Sequence, residues 1–443
     1  MIRQAFNRIT AGTLAANYAR GVLWLFADKG FKFLAELLVG FYLARHLGSE
    51  QFGVLNFAIS FVIMFHGLST LGINEVLVRE VVNNREDEKR IVGTALILRL
   101  AATAGIILLV QGLASTLDST ARLLIAVLSL SLLFRAFEVF TPYFQSIVKG
   151  EVVAFIQMIV TLVGAVLKVA FIVLDKNLTW FAWVYTIEWV VLAIGLIILY
   201  LRIHRNTIWQ FSLQWSRRLL RSSWYLMLSA ATVNLYMRLD QVMIRQMVGD
   251  SANGHYAAAV RLSELWYIVP TILCSILFPA VINAKKSDFQ LYTHRLLMLN
   301  TVLVWPALAI ACIVSPFSDE LVILLYGQEY AASGAILSYH IWTAPFVFFG
   351  VCSGYWLVAE NNEKFTLYRT AAGLVVNVVL NFLLIPRYGA IGAAVGTLIS
   401  QMAVSILWMS LSSTTRPIVA IQLKSLVFPL ERSMQFLRTK YAR

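Results

Sequence analysis

Apolar runs of about 20 residues recur along the whole chain, broken by short polar stretches. A helical run of that length crosses the ~30 Å hydrocarbon core at ~1.5 Å per residue. Twelve such helices are predicted, at about 21–44, 52–73, 91–112, 122–148, 152–174, 180–201, 222–247, 255–282, 295–316, 334–359, 368–387 and 389–411. The basic, mildly amphipathic segment 1–20 lacks a compact apolar core with a small-residue cleavage site. It reads as a helix lying on the cytoplasmic face. Residues 202–221, rich in Arg and carrying Trp209 and Trp215, read as a surface-lying cytoplasmic linker at the chain midpoint. The basic tail 412–443, interrupted by Pro417 and Pro429, reads as interfacial.

That linker separates two sixes of spans, an N-lobe over 21–201 and a C-lobe over 222–411. A repeat supports the division. Gly48 to Gly53 joins spans one and two, and Gly249 to Gly254 joins spans seven and eight with the same Gly-x4-Gly spacing. A fainter echo sets Val166-Leu167-Lys168 against Val379-Leu380-Asn381. Six is even, so both lobes enter the membrane in the same sense. The expected fold is therefore all-α and polytopic, two six-helix lobes related by a pseudo-twofold along the membrane normal, with a site between them.

Composition agrees. Of 443 residues, 59% are apolar and 13% charged, against about 25% charged in a typical soluble domain. Too few charges remain to cover a water-facing surface, which excludes a soluble enzyme or a disordered chain. The net charge of +13 has a simpler source than nucleic-acid binding. With both termini inside, 24 Lys and Arg fall on the cytoplasmic side, five outside and seven within spans, the asymmetry of a cytoplasmic-membrane protein. Cys274, Cys312 and Cys352 lie in apolar runs and read as packing residues.

Enzyme and cofactor motifs are missing: there is no phosphate-binding P-loop, HExxH, Gly-x-Ser-x-Gly, Asp-x-Asp or Cys/His ligand cluster. No cofactor or metal is expected. No connection exceeds about 20 residues, so no outer domain houses separate chemistry.

The candidate chemistry lies in the membrane charges, which are costly there and normally face a cavity or a partner. Span one carries Asp28, Lys29, Lys32 and Glu36, three of them stacked on one stripe. Span four has Arg135 and Glu138; span seven, Arg238 and Asp240; span eight, Arg261 and Glu264. These predict a wet, mildly cationic cavity in which Lys29, Lys32, Arg135, Arg238 and Arg261 bind a phosphate. Asp28, Glu36, Glu138, Asp240 and Glu264 act as charge partners or coupling groups. The alternative for Arg135–Glu138 and Arg261–Glu264 is an internal packing pair. Arg99 and Lys168, nearer span ends, are expected to snorkel, and His66 and His340 to pack through hydrogen bonds.

Residues 41–53, Phe-Tyr-Leu-Ala-Arg-His-Leu-Gly-Ser-Glu-Gln-Phe-Gly, resemble the first outer turn of polysaccharide flippases of the Wzx, or O-antigen transporter, type. Residues 377–394, with Asn377, Asn381, a Leu-Ile-Pro stop at Pro386 and a Gly-x-x-Gly-Ala-Ala restart at Gly389, are similar to their penultimate hairpin. The loop from Gly72 to Glu80 looks like their inner turn. The resemblance implies transport of an oligosaccharide on undecaprenyl pyrophosphate from the inner to the outer leaflet, by two lobes rocking around a central cavity. Its implied partners are that lipid-linked substrate, the bilayer and polysaccharide-assembly proteins. Lys29, Lys32 and Arg261 match basic positions of related lipid II flippases, whereas span two offers only His66. Two other readings remain open: an ion-coupled small-molecule exporter, and a polysaccharide polymerase acting through Asp319, Glu320 or Glu329.

Overall fold

The computed structural model describes residues 2–147, 149–204, 209–285, 288–362 and 364–441, and side chains between 35 and 428 together with Gly30 and Lys32. Every regular element among them is helical, and the chain is an all-α polytopic membrane protein. Nine stretches of the described residues are long and apolar enough to cross a membrane. Two of the nine, Ala35–Asn83 and Lys364–Leu411, are broken internally by Gly48 and Gly389, both at positive φ. Helix Leu213–Met247 is long enough but too polar to count among the nine. With these, each of the twelve predicted segments falls on a helix.

The lipid environment is legible on the outward faces. Helix Gly150–Val173 exposes Phe155, Leu162, Val166 and Val173, and Lys364–Met402 exposes Val375, Phe382 and Leu383. Apolar area on that scale suits a face turned to lipid.

Two compact units form. The first takes the chain up to Leu47 and Ala58–Asn234; the second takes Gly48–Phe57 and everything from Leu235. In the first, Ile73, Leu77, Leu96, Phe140, Tyr143 and Tyr200 build the core, with the Phe140 and Tyr200 rings stacked 4.6 Å apart. Tyr143 and His204 share a 2.8 Å hydrogen bond, and His204 lies 3.0 Å from Glu88. In the second, Cys274, Phe278, Leu303, Phe348, Cys352 and Ile418 pack together; these two cysteines fill space.

Helices enter two stretches, the expected linker and the expected tail. The linker expected to reach residue 221 gives way at 213 to one helix, Leu213–Met247. No Gly or Pro interrupts those 35 residues, so nothing stops the helix short of the span. The tail expected at the interface is a helix from Arg416, and it packs along Phe289–Val314. Ile418, Val419, Gln422 and Ser425 are buried there, and Trp305 donates to the Ser425 carbonyl. Pro417 sits in the first turn, where its missing N–H costs nothing.

Candidate functional site

In the first unit, an open cavity of about 330 Å³ with polar and apolar walls lies between the chain at 70–75 and one face of helix Leu213–Met247. Gly72, at φ +61°, makes the turn that delivers Asn74 and Glu75 to it. A side chain at Gly67 or Gly72 would strike the backbone of the helix opposite, near Ala231 and Met227. Glycine is what allows this approach. Thr70, Asn74, Glu75, Ser229 and Asn234 supply the polar groups, beside Leu226 and Val233. Arg99 is buried (1% exposed) and donates to Asn74 Oδ1, orienting that amide.

Arg99 therefore does not snorkel, and neither does Lys168. Lys168 Nζ lies 2.8 Å from Glu188 Oε1 and 4.4 Å from the centre of the Tyr185 ring, joining Gly150–Val173 to Leu178–Ile203. Partners within the same unit remove the need to reach the interface. Of the other expected charges in this unit, Lys32 is exposed and 3.8 Å from Glu36. The Arg135 guanidinium covers the Trp189 ring at 4.1 Å. No Arg135–Glu138 ion pair is present among the described residues. The side chains of Asp28 and Lys29 lie outside the described residues.

The remaining expected residues belong to the second unit. Glu264 pairs with Arg238 at 3.6 Å. Arg261 is half-buried on the helix Asp250–Glu264. Asp240 is buried and held entirely by neutral donors: Asn381 Nδ2 at 2.6 Å to one oxygen, Thr397 Oγ1 at 2.6 Å and Tyr256 Oη at 2.8 Å to the other. Asn377 donates to Thr397 and accepts from Asn381, and Asn381 Oδ1 has no partner among the described residues. No ion pair reaches Asp240 among the described residues. The arrangement can hold the carboxylate charge by donation or accept a proton on it. Tyr256, Asn377, Asn381 and Thr397 were missed as companions of Asp240. The i,i+4 spacing of the two Asn, on one face of an apolar helix, was the available signal.

The two Gly-x4-Gly turns meet in this unit. Gly48 and Gly249 both have positive φ, while a side chain on Gly53 would strike the Asp250 carbonyl and one on Gly254 the Ser49 carbonyl. Asn253 Nδ2 donates to Gly53 O at 2.8 Å, the Ser49 and Ser251 hydroxyls lie 3.0 Å apart, and Glu329 Oε1 accepts from the Ser49 N–H at 2.5 Å. Glu329, the loop carboxylate considered for an enzyme, thus secures a backbone turn. His340 is buried and packs edge-on to Tyr256, its Nδ1 without a hydrogen bond.

Comparison with known proteins fits this picture. Residues 226–383 match the MatE family. The probable flippase AglR of Haloferax volcanii is 29% identical over 177 residues, which are 39% of this chain and 37% of that protein. The aligned region thus spans little more than a third of AglR. A structure of the lipid II flippase MurJ in an inward closed conformation is similar over 94% of this chain and 93% of its own, with TM-score 0.74 and 13% identity. An inward-facing multidrug resistance MATE family transporter of the MOP superfamily is similar over 89% and 95%, with TM-score 0.69 and 16% identity. These two likenesses establish the fold. The match to the family described as polysaccharide biosynthesis protein runs over residues 18–285, more than half of the chain, and the protein belongs to that family.

Proposed function

We propose that the protein carries an oligosaccharide linked to undecaprenyl pyrophosphate from the inner to the outer leaflet of a bacterial cytoplasmic membrane, for surface polysaccharide assembly. The observation that carries this reading is the open cavity of about 330 Å³ in which amide, hydroxyl and carboxylate groups stand beside a larger apolar wall. Sugar hydroxyls both donate and accept, and so do Asn74, Ser229, Thr70 and Asn234. The buried Arg99 fixes Asn74 with its amide NH2 free to donate. Leu226 and Val233 offer the apolar surface against which a pyranose ring packs. AglR bears the name of a probable flippase and MurJ that of a lipid II flippase, which supports the same activity here.

No bond need be made or broken in such transport, so no catalytic group is assigned. Translocation proceeds by alternating access, driven through Asp240, whose hydrogen-bonded cluster with Asn377, Asn381 and Thr397 takes up and releases a proton. Arg238, Arg261, Arg135, Lys32 and Lys29 attract the phosphates, with Glu36, Glu138 and Glu264 adjusting the net charge. The lipid tail stays in the bilayer.

The test is a strain lacking the protein. Complete lipid-linked repeat units should accumulate on the inner leaflet while surface polymer is lost and tolerance to cationic drugs is unchanged. Normal polymer with raised drug sensitivity would overturn the reading in favour of a small-molecule exporter. That second reading is favoured by the MATE-like fold and by Asp240, which makes no ion pair among the described residues.

A further inference from the structure

The first turns of helix Leu213–Met247 present two unlike faces. Trp215, Ser216, Leu219 and Ser223 are buried, and Trp215 and Leu219 enter the core of the first unit. The opposite stripe is exposed and mixes bases with large apolar groups: Leu213, Arg217, Leu220, Arg221 and Trp224. Interleaving of this kind suits a surface at the depth of lipid headgroups, where the apolar side chains enter the acyl boundary and the guanidiniums stay level with the phosphates.

Within that face lies a concavity of about 460 Å³ lined by Leu213, Gln214, Arg217, Arg218, Arg221 and Ser222. The three arginines differ in what balances them. Arg218 reaches the buried carboxylate of Glu80 at 2.7 Å and lies 4.9 Å from the centre of the Trp215 ring. Arg79 holds the other Glu80 oxygen at 3.0 Å. Arg217 and Arg221 make no ion pair or hydrogen bond among the described residues. Spaced i,i+4, their Cβ atoms stand about 5–6 Å apart on one helical stripe. Gln214 and Ser222 add neutral donors at the rim. No carboxylate lines the concavity.

Two uncompensated guanidiniums beside neutral donors call for an anion with two adjacent charged centres, each able to take a forked contact. The apolar flank calls for a chain in the bilayer. A phospholipid offers one phosphodiester charge, which satisfies one arginine; a diphosphate ester satisfies both.

We propose that Arg217 and Arg221, with Gln214 and Ser222, bind the diphosphate headgroup of a polyisoprenyl lipid at the membrane surface. This inference rests on the function proposed above and names the point where its substrate first engages the protein.

The test uses the full-length protein in phosphatidylcholine nanodiscs. Binding of farnesyl diphosphate is titrated against farnesyl monophosphate and against discs doped with phosphatidylglycerol. The wild type should bind the diphosphate at least about tenfold more tightly than the monophosphate, and Arg217→Gln with Arg221→Gln should lose at least that factor. Both positions are exposed, and an unchanged helical circular dichroism spectrum verifies that the variant is folded. Equal binding by wild type and variant would overturn the site. Equal binding of monophosphate, or displacement by phosphatidylglycerol, would overturn the diphosphate class and leave an anionic-lipid contact. If the wild type binds farnesyl diphosphate but vesicles containing it translocate no lipid-linked oligosaccharide, the transport reading fails and the headgroup site stands.

Discussion

Lys168 and Asn381 occupy corresponding places in the faint echo between the two halves of the chain, and both are buried polar residues on a membrane helix. Their surroundings differ in one respect. Lys168 meets a charge of opposite sign, Glu188 at 2.8 Å on the neighbouring helix, and the pair is neutral as it stands. Asn381 meets a lone carboxylate, Asp240, which it shares with Thr397 and Tyr256. None of those three donors carries a charge. A buried pair that balances itself suits a fixed scaffold, because separating the charges in a low dielectric is costly. A buried carboxylate among neutral donors carries no fixed counter-charge and so suits the coupling role proposed for it. Lys168 thus belongs to a self-balanced pair, and Asp240 to a cluster whose donors are all neutral.

The sharpest way to break that contrast is Asp240→Asn. The amide keeps the shape, and Asn381 can turn its unpartnered oxygen toward the new NH2. Transport in vesicles should fall to a tenth or less and lose its dependence on a proton gradient, while thermal stability in detergent changes by less than about 1 kcal/mol. A variant that transports normally would end the coupling assignment.

Glu188→Gln probes the other side and should act on stability. It strands Lys168 without its counter-charge, at a cost of about 3–5 kcal/mol, and pairing it with Lys168→Met should recover most of the loss. Thermal unfolding of the single and double variants measures this. Equal instability of the two would show that the residues do not act as a pair.

Gly254→Val tests the meeting of the two glycine turns. The new side chain strikes the Ser49 carbonyl, and backbone cannot step aside as a side chain can. A loss of about 1–3 kcal/mol is expected, with a smaller one for Gly249→Ala, where the space is open and only the positive φ is strained. The smallest effect should come from Glu329→Gln, which weakens a single bond to the Ser49 N–H by about 1 kcal/mol. An unchanged melting temperature there would remove the turn-securing role of Glu329.

How much of this was legible beforehand depended on the range of the interaction. The spans, their number and the broken hairpins at Gly48 and Gly389 follow from apolar run length and from glycine and proline, which act within a few residues. Local spacing offered internal pairs, Arg261 with Glu264 and Arg135 with Glu138, only as an alternative to a cavity, and it did not point to Arg238 beside Glu264 or to the Trp189 ring beneath Arg135. Helical spacing says which side chains share a face and is silent on what that face meets.

The sequence by itself determined that this is a polytopic helical membrane protein, where its helices fall and which residues carry charge into the bilayer. A run of 20 apolar residues has one low-energy fate, a helix in lipid that satisfies its own backbone. Tertiary structure alone decided that Asp240 is caged by residues about 140 and 157 positions away, that Arg99 orients Asn74, and that the two glycine turns close on each other. Those contacts depend on helix packing, and packing is set by the fit of many small surfaces at once, which no single stretch of sequence records.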